Sequence, residues 1–105
     1  MKARSPPVID ELVDTYLDDG AAQIEALRAA VERGVVADLV RPAHSMKSSS
    51  LNVGAVRLGE LCRTLEEAAR SGEVPHPAEW VARIAAGFEE ARAALLDERA
   101  RRAQG

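Results

Sequence analysis

The feature that most constrains this chain is how little separates its second and third apolar-periodic segments. A helical pattern runs from about Val35 to Asn52, stops at Gly54, resumes at Ala55 and continues to Arg70, before Ser71 and Gly72 end it. So short a connection forces the two helices to lie side by side and antiparallel. The flanking segments carry the same period. In the first, Ile9, Leu12, Val13, Tyr16, Leu17, Ile24, Leu27, Ala30 and Val31 recur at three-and-four spacing, started by Ser5, Pro6 and Pro7 and ended by Gly34. In the last, Pro77 suits a first helical turn, and Trp80, Ile84, Phe88, Ala91 and Leu95 mark the stripe expected to be buried. The expectation is an all-α protein, an up-and-down antiparallel four-helix bundle with helices at about 7–33, 35–53, 55–71 and 77–102 in a single domain spanning 1–105.

Composition points the same way. The 105 residues are 47% hydrophobic but only 3% aromatic, so the core must be built from Leu, Val, Ile and Ala. That suits packed helices better than a sheet, which draws on aromatic and β-branched cross-strand pairs. Two residues conflict locally with the pattern. Gly20 sits in mid-helix at a cost of roughly 1 kcal/mol relative to Ala. Pro42 would remove a hydrogen bond inside the second helix at about 3 kcal/mol, so the helix either kinks there or begins its long part there.

Several function classes are disfavoured. The formal charge of -3, with signs interspersed, does not suit nucleic acid, and the basic run Arg99 to Arg102 reads as a solvated tail. The single cysteine, Cys62, forms no internal disulfide and reads as a small hydrophobe at a helix edge. His44 and His76 lack metal-ligand spacing, and His76 falls in the loop before the last helix. No leader or membrane span is evident, so a soluble, cytoplasmic monomer is expected, either free-standing or part of a larger protein. Neither a Gly-rich turn nor an oxyanion arrangement suggests a hydrolase.

The chemistry concentrates in "RPAHSMKSSSLNVGA", residues 41–55. At 100° per residue, Leu39, Ala43, Met46, Ser49, Ser50 and Val53 face inward, while His44 points away with Val40, Lys47, Ser48 and Leu51 around it. Ser49 and Ser50 would let a neighbouring helix approach closely; Ser48 keeps the ground beside His44 low. On the third helix Leu58, Leu61, Leu65 and Ala68 form the apolar arc, with Cys62 and Ala69 at its edge. Glu66 lies just outside, with Gly59 and Arg63. Folding about Gly54 brings His44 and Glu66 to similar heights. Glu66 then either meets the imidazole or forms a surface ion pair with Arg63 or Arg70. A carboxylate accepting the Nδ1 proton would fix the tautomer and leave Nε2 as a nucleophilic lone pair.

Residues 43–72, "AHSMKSSSLNVGAVRLGELCRTLEEAARSG", resemble the histidine-containing phosphotransfer (HPt) domain family, the four-helix carriers of two-component phosphorelays. The resemblance rests on Ala-His, the Lys three positions later followed by a small residue, the Gly-Ala turn, spaced leucines and a Leu-Glu. The outer helices match in length and periodicity alone. The resemblance implies that His44 is phosphorylated on Nε2, that Lys47 lies beside the phosphoryl group and offsets its charge, and that Glu66 orients the imidazole. It implies a phosphocarrier without kinase or phosphatase activity, whose partners are a histidine kinase and a response-regulator receiver domain. No cofactor of its own is expected, any magnesium belonging to the receiver. Two positions depart from the pattern: Ser48, where the family usually has Gly, and Pro42. Val40 and Leu51, with Arg63, are expected either to dock a receiver or to pack on flanking helices; Tyr16 and Leu17 either border the same patch or, the preferred reading, belong to the core. The competing readings are a non-catalytic adaptor binding through Val40, His44 and Leu51, and a histidine-kinase dimerisation domain. The second is opposed by Ser-Met-Lys after His44.

Overall fold

The computed structural model describes the backbone of residues 7–104 and the side-chain environments of residues 10–104, so the expected helix start at Ser5 and Pro6, and the burial of Ile9, lie outside the described residues. The chain forms α1 (Pro7–Arg33), a short 3-10 helix (Val36–Leu39), α2 (Val40–Asn52), α3 (Val56–Ser71) and α4 (Pro77–Gln104), with no strand among the described residues. The all-α four-helix architecture expected from the periodicity is the one observed.

The second helix differs from its expected 35–53 span. Val35 is extended (φ -110°, ψ 99°), and one 3-10 turn follows before α2 starts at Val40. Pro42 is thereby the third residue of α2, where a backbone N–H would lack an intrahelical partner, so the proline costs no helical hydrogen bond. Of the two readings of Pro42, the helix begins there. At the other end of α2, Gly54 adopts φ +85°, a conformation open to glycine. Its N–H reaches Leu51 O at 3.1 Å and the N–H of Ala55 reaches Ser50 O at 2.8 Å, which satisfies the last carbonyls of α2. Ala55 caps α3, which starts at Val56 rather than at residue 55, and α4 runs on to Gln104.

The core contains Leu27, Leu39, Met46, Leu65 and Ile84, all fully buried. Cys62 is a correction to the sequence reading: it is 0% exposed, in the middle of the core, and Ala69 is buried too. Burial pushes the Cys62 thiol up to about 12, so it stays protonated and inert. Leu12, expected on the buried face of the first helix, is instead 61% exposed. The reason is unequal helix length. The 27 and 28 residues of α1 and α4 span about 40 Å each, whereas α2 and α3 have 13 and 16 residues. The outer helices therefore project past the inner pair, giving extents of 55 × 19 × 17 Å. Along the projection α1 has α4 alone to pack against, and its buried stripe narrows. On α4, Val81 is buried with Ile84 and Phe88, while Trp80, Ala91 and Leu95 are half-buried.

Two glycines set how closely helices approach. A side chain at Gly20 would overlap the ring of Phe88, which explains a helix-weakening residue in the middle of α1. A Cβ at Gly59 would lie 2.6 Å from Leu51 Cδ2, so Leu51 lies directly across α3 at this point. Ser50 is fully buried and shares a hydrogen bond of 2.9 Å with Tyr16 Oη, tying α2 to α1. Ser49 is half-buried and donates to Met46 O at 3.3 Å. No described helix is long and apolar enough to cross a membrane.

Candidate functional site

His44 projects from the second turn of α2, away from the buried Ala43, Met46 and Ser50, and its side chain is 53% exposed. Because α2 and α3 fold back about Gly54, Glu66 comes level with it. The distance from His44 Nδ1 to Glu66 Oε2 is 3.0 Å. Glu66 is not at the rim of the helix pair, as its place just outside the apolar arc suggested; it is 5% exposed. Close α2–α3 packing, permitted by Gly59, draws its carboxylate inward.

Three basic side chains converge on this carboxylate. Lys47, one turn after His44 on α2, places Nζ 3.1 Å from Oε1. Arg70, one turn after Glu66 on α3, donates to Oε2 from Nε at 3.1 Å and from a terminal nitrogen at 2.8 Å. The sequence reading set contact with His44 against an ion pair with Arg70, but the two coexist, since one carboxylate offers four lone-pair directions. Arg63 is exposed and turns to Glu60 at 2.9 Å, not to Glu66.

Burial by itself would raise the Glu66 carboxyl, but the hydrogen bonds from Arg70, Lys47 and His44 outweigh it and hold it down to about 2. Glu66 is therefore ionised at any physiological pH. An ionised carboxylate only accepts, so His44 Nδ1 must donate, and Nε2 is the ring nitrogen without a hydrogen-bond partner among the described residues. In the neutral ring that nitrogen carries a lone pair on the half-exposed side. The arrangement supplies a nucleophile, a fixed tautomer and a nearby ammonium.

The remaining predicted positions surround the histidine. Ser48 is exposed on the same face of α2. Leu51 is 42% exposed, while Val40 is half-buried and packed against the core. Tyr16 is buried in the core, and Leu17 is half-buried and packed against it. Arg70 is the member of the cluster that the sequence signalled only as a surface partner. Its spacing of four residues after Glu66 was the available clue. Among the described residues no group of three or more His, Cys, Asp or Glu side chains is arranged to hold a metal ion.

The Hpt domain family model matches residues 11–94. The crystal structure of histidine-containing phosphotransfer protein B (HptB) from Pseudomonas aeruginosa PAO1 is similar to this chain, with a TM-score of 0.81 and 36% sequence identity over 86% of this chain and 78% of that one. No curated protein matches the chain. A four-helix bundle carrying an oriented, half-exposed histidine, a family model covering most of its length and a closely superposing phosphotransfer protein lead to one conclusion: the chain belongs to the Hpt domain family, the histidine phosphotransfer carriers of phosphorelays.

Proposed function

We propose that Nε2 of His44 is the phosphoryl acceptor, and that the group is exchanged with the aspartate of a response-regulator receiver domain or received from a histidine kinase. The observation that carries this reading is the hydrogen bond from His44 Nδ1 to an ionised, buried Glu66. In exchange with a receiver, the Nε2 lone pair attacks phosphorus and the phosphorus–oxygen bond of the aspartyl phosphate breaks. The carboxylate leaves with the bonding pair. The Nδ1 proton stays in place, so the phosphorylated ring is cationic, and the Glu66 charge beside it offsets that cation. Lys47 is close enough to turn toward the phosphoryl oxygens. The reverse sequence of bonds returns the group to an aspartate.

Leu51, Val40 and Arg63 form the apolar and basic surroundings against which a receiver docks. Ser48 stands beside the acceptor where a glycine would leave more room, so it tunes receiver access. The chain acts as a carrier, with neither kinase nor phosphatase activity; any magnesium for the transfer sits in the receiver. A cytoplasmic monomer fits the reading, since the buried residues of α2 and α3 pack into a core within one chain, with Leu51 and Val56 left exposed.

The test is intact-protein mass after incubation with receiver domains charged by acetyl phosphate. The wild-type chain is expected to gain one phosphoryl group, labile in acid and stable in base, and His44→Gln to gain none while keeping its helical spectrum. A His44→Gln variant that is still labelled would place the phosphoryl group elsewhere. A chain that binds the receiver, before and after that substitution, and never gains mass would be an adaptor.

A further inference from the structure

Resting on the phosphocarrier reading, a question of charge arises at Glu66. Its side chain is 7% exposed and Lys47 covers one of its oxygens at 3.1 Å. A phosphoryl group on the neighbouring His44 competes for the same ammonium, with more charge and more accessible oxygens. If Lys47 turns outward, a buried carboxylate loses a cation, which is costly unless another remains. Arg70 is placed to be that cation. It grips the other oxygen through two N–H groups, at 2.8 and 3.1 Å, contacts already made in the resting chain, from a side chain that is itself 59% exposed.

We propose that Arg70 is a positioning residue that holds Glu66 in place as a paired anion, so that Lys47 is free to transfer its charge from Glu66 to the phosphoryl group on His44. Arg70 touches neither the ring nor the incoming group. It acts through Glu66, and its contribution belongs to the phosphorylated state. In the resting chain Lys47 and Arg70 both pair with Glu66, so either one suffices; once the group arrives, Arg70 alone remains.

The consequence is a coupling between Arg70 and Lys47 in the partition of the phosphoryl group. Wild type, Arg70→Gln, Arg70→Lys, Lys47→Ala and Lys47→Ala/Arg70→Gln are each equilibrated with an isolated receiver domain charged by acetyl phosphate. The ratio of phosphohistidine to aspartyl phosphate is then read by phosphorus NMR. Arg70→Gln keeps a hydrogen bond but removes the charge, and is expected to lower the ratio about three- to ten-fold. Arg70→Lys keeps the charge and stays within about two-fold of wild type. In the Lys47→Ala background, Arg70→Gln adds less than about two-fold, because no ammonium is left to release. Thermal melts of the variants check that the exposed substitutions leave the bundle folded, a role in folding alone leaving the partition unmoved. A wild-type ratio for Arg70→Gln, or an equal fall with and without Lys47, overturns the role of Arg70 and leaves the carrier reading standing. A wild-type chain that accepts no phosphoryl group overturns both.

Discussion

Two carboxylates in this molecule each attract more than one basic side chain. On the projecting end of α4, Glu98 meets Arg101 at 2.7 Å and Arg102 at 3.5 Å, with its side chain 47% exposed. Between α2 and α3, Glu66 meets Arg70, Lys47 and His44 at 2.8 to 3.1 Å, with its side chain 7% exposed. Both carboxyls are lowered, Glu98 chiefly by the hydrogen bond from Arg101 and Glu66 by its three partners working against burial. The difference lies in water. Around Glu98 solvent screens every pair, and losing one leaves hydrated charges. Glu66 itself is shielded from water although His44 and Arg70 reach it from the surface, so the charge depends on these partners and imposes a geometry on them, the His44 ring included. The number of cations does not make a site; their desolvated convergence on one group does.

Acid is the largest test of that contrast. The Glu66 carboxyl is lowered from 4.5 to about 2, so its stabilising contribution is complete above 4.5 and is lost as pH falls through about 2. Wild type is expected to lose about 2–3 kcal/mol more than Glu66→Gln between pH 5 and pH 2.5 in urea unfolding. Parallel acid limbs in the two proteins would remove the contrast. A buried polar pair without charge sharpens it. Tyr16→Phe breaks the contact with Ser50 and is expected to cost about 1 kcal/mol in urea unfolding, with the same value at pH 5 and pH 7. The smallest effect belongs to Glu98→Gln, whose unfolding midpoint at physiological salt should coincide with that of wild type. A clear shift there would mean that exposed charge clusters do more in this bundle than screening allows.

The architecture was legible because its signals are local. Gly34, Gly54 and Gly72 end the helices, and the apolar periods between them are long. Counting outward from Gly54 places His44 and Glu66 level. What periodicity missed depends on neighbours that no single helix reveals. Leu12 fits its own helix face but lies where α2 and α3 no longer cover α1. Cys62 and Glu66 were placed at or beyond an edge, yet both are buried because α3 packs against several elements at once and Gly59 lets α2 come close. By spacing alone Arg70 is an alternative to His44 as the partner of Glu66, since helix periodicity does not show that one carboxylate serves both. One oxygen of the buried carboxylate, Oε2, has room for both.

The central claim is that a buried carboxylate fixes the His44 proton on Nδ1 and so makes Nε2 the acceptor. The direct measurement is nitrogen NMR of protein labelled with 15N-histidine, at pH 8, before and after phosphoryl transfer from a receiver domain charged by acetyl phosphate. The account predicts a resting ring protonated on Nδ1 and, after transfer, phosphorus coupling at Nε2 with the Nδ1 proton retained. A resting proton on Nε2, or phosphorus coupled to Nδ1, would contradict it.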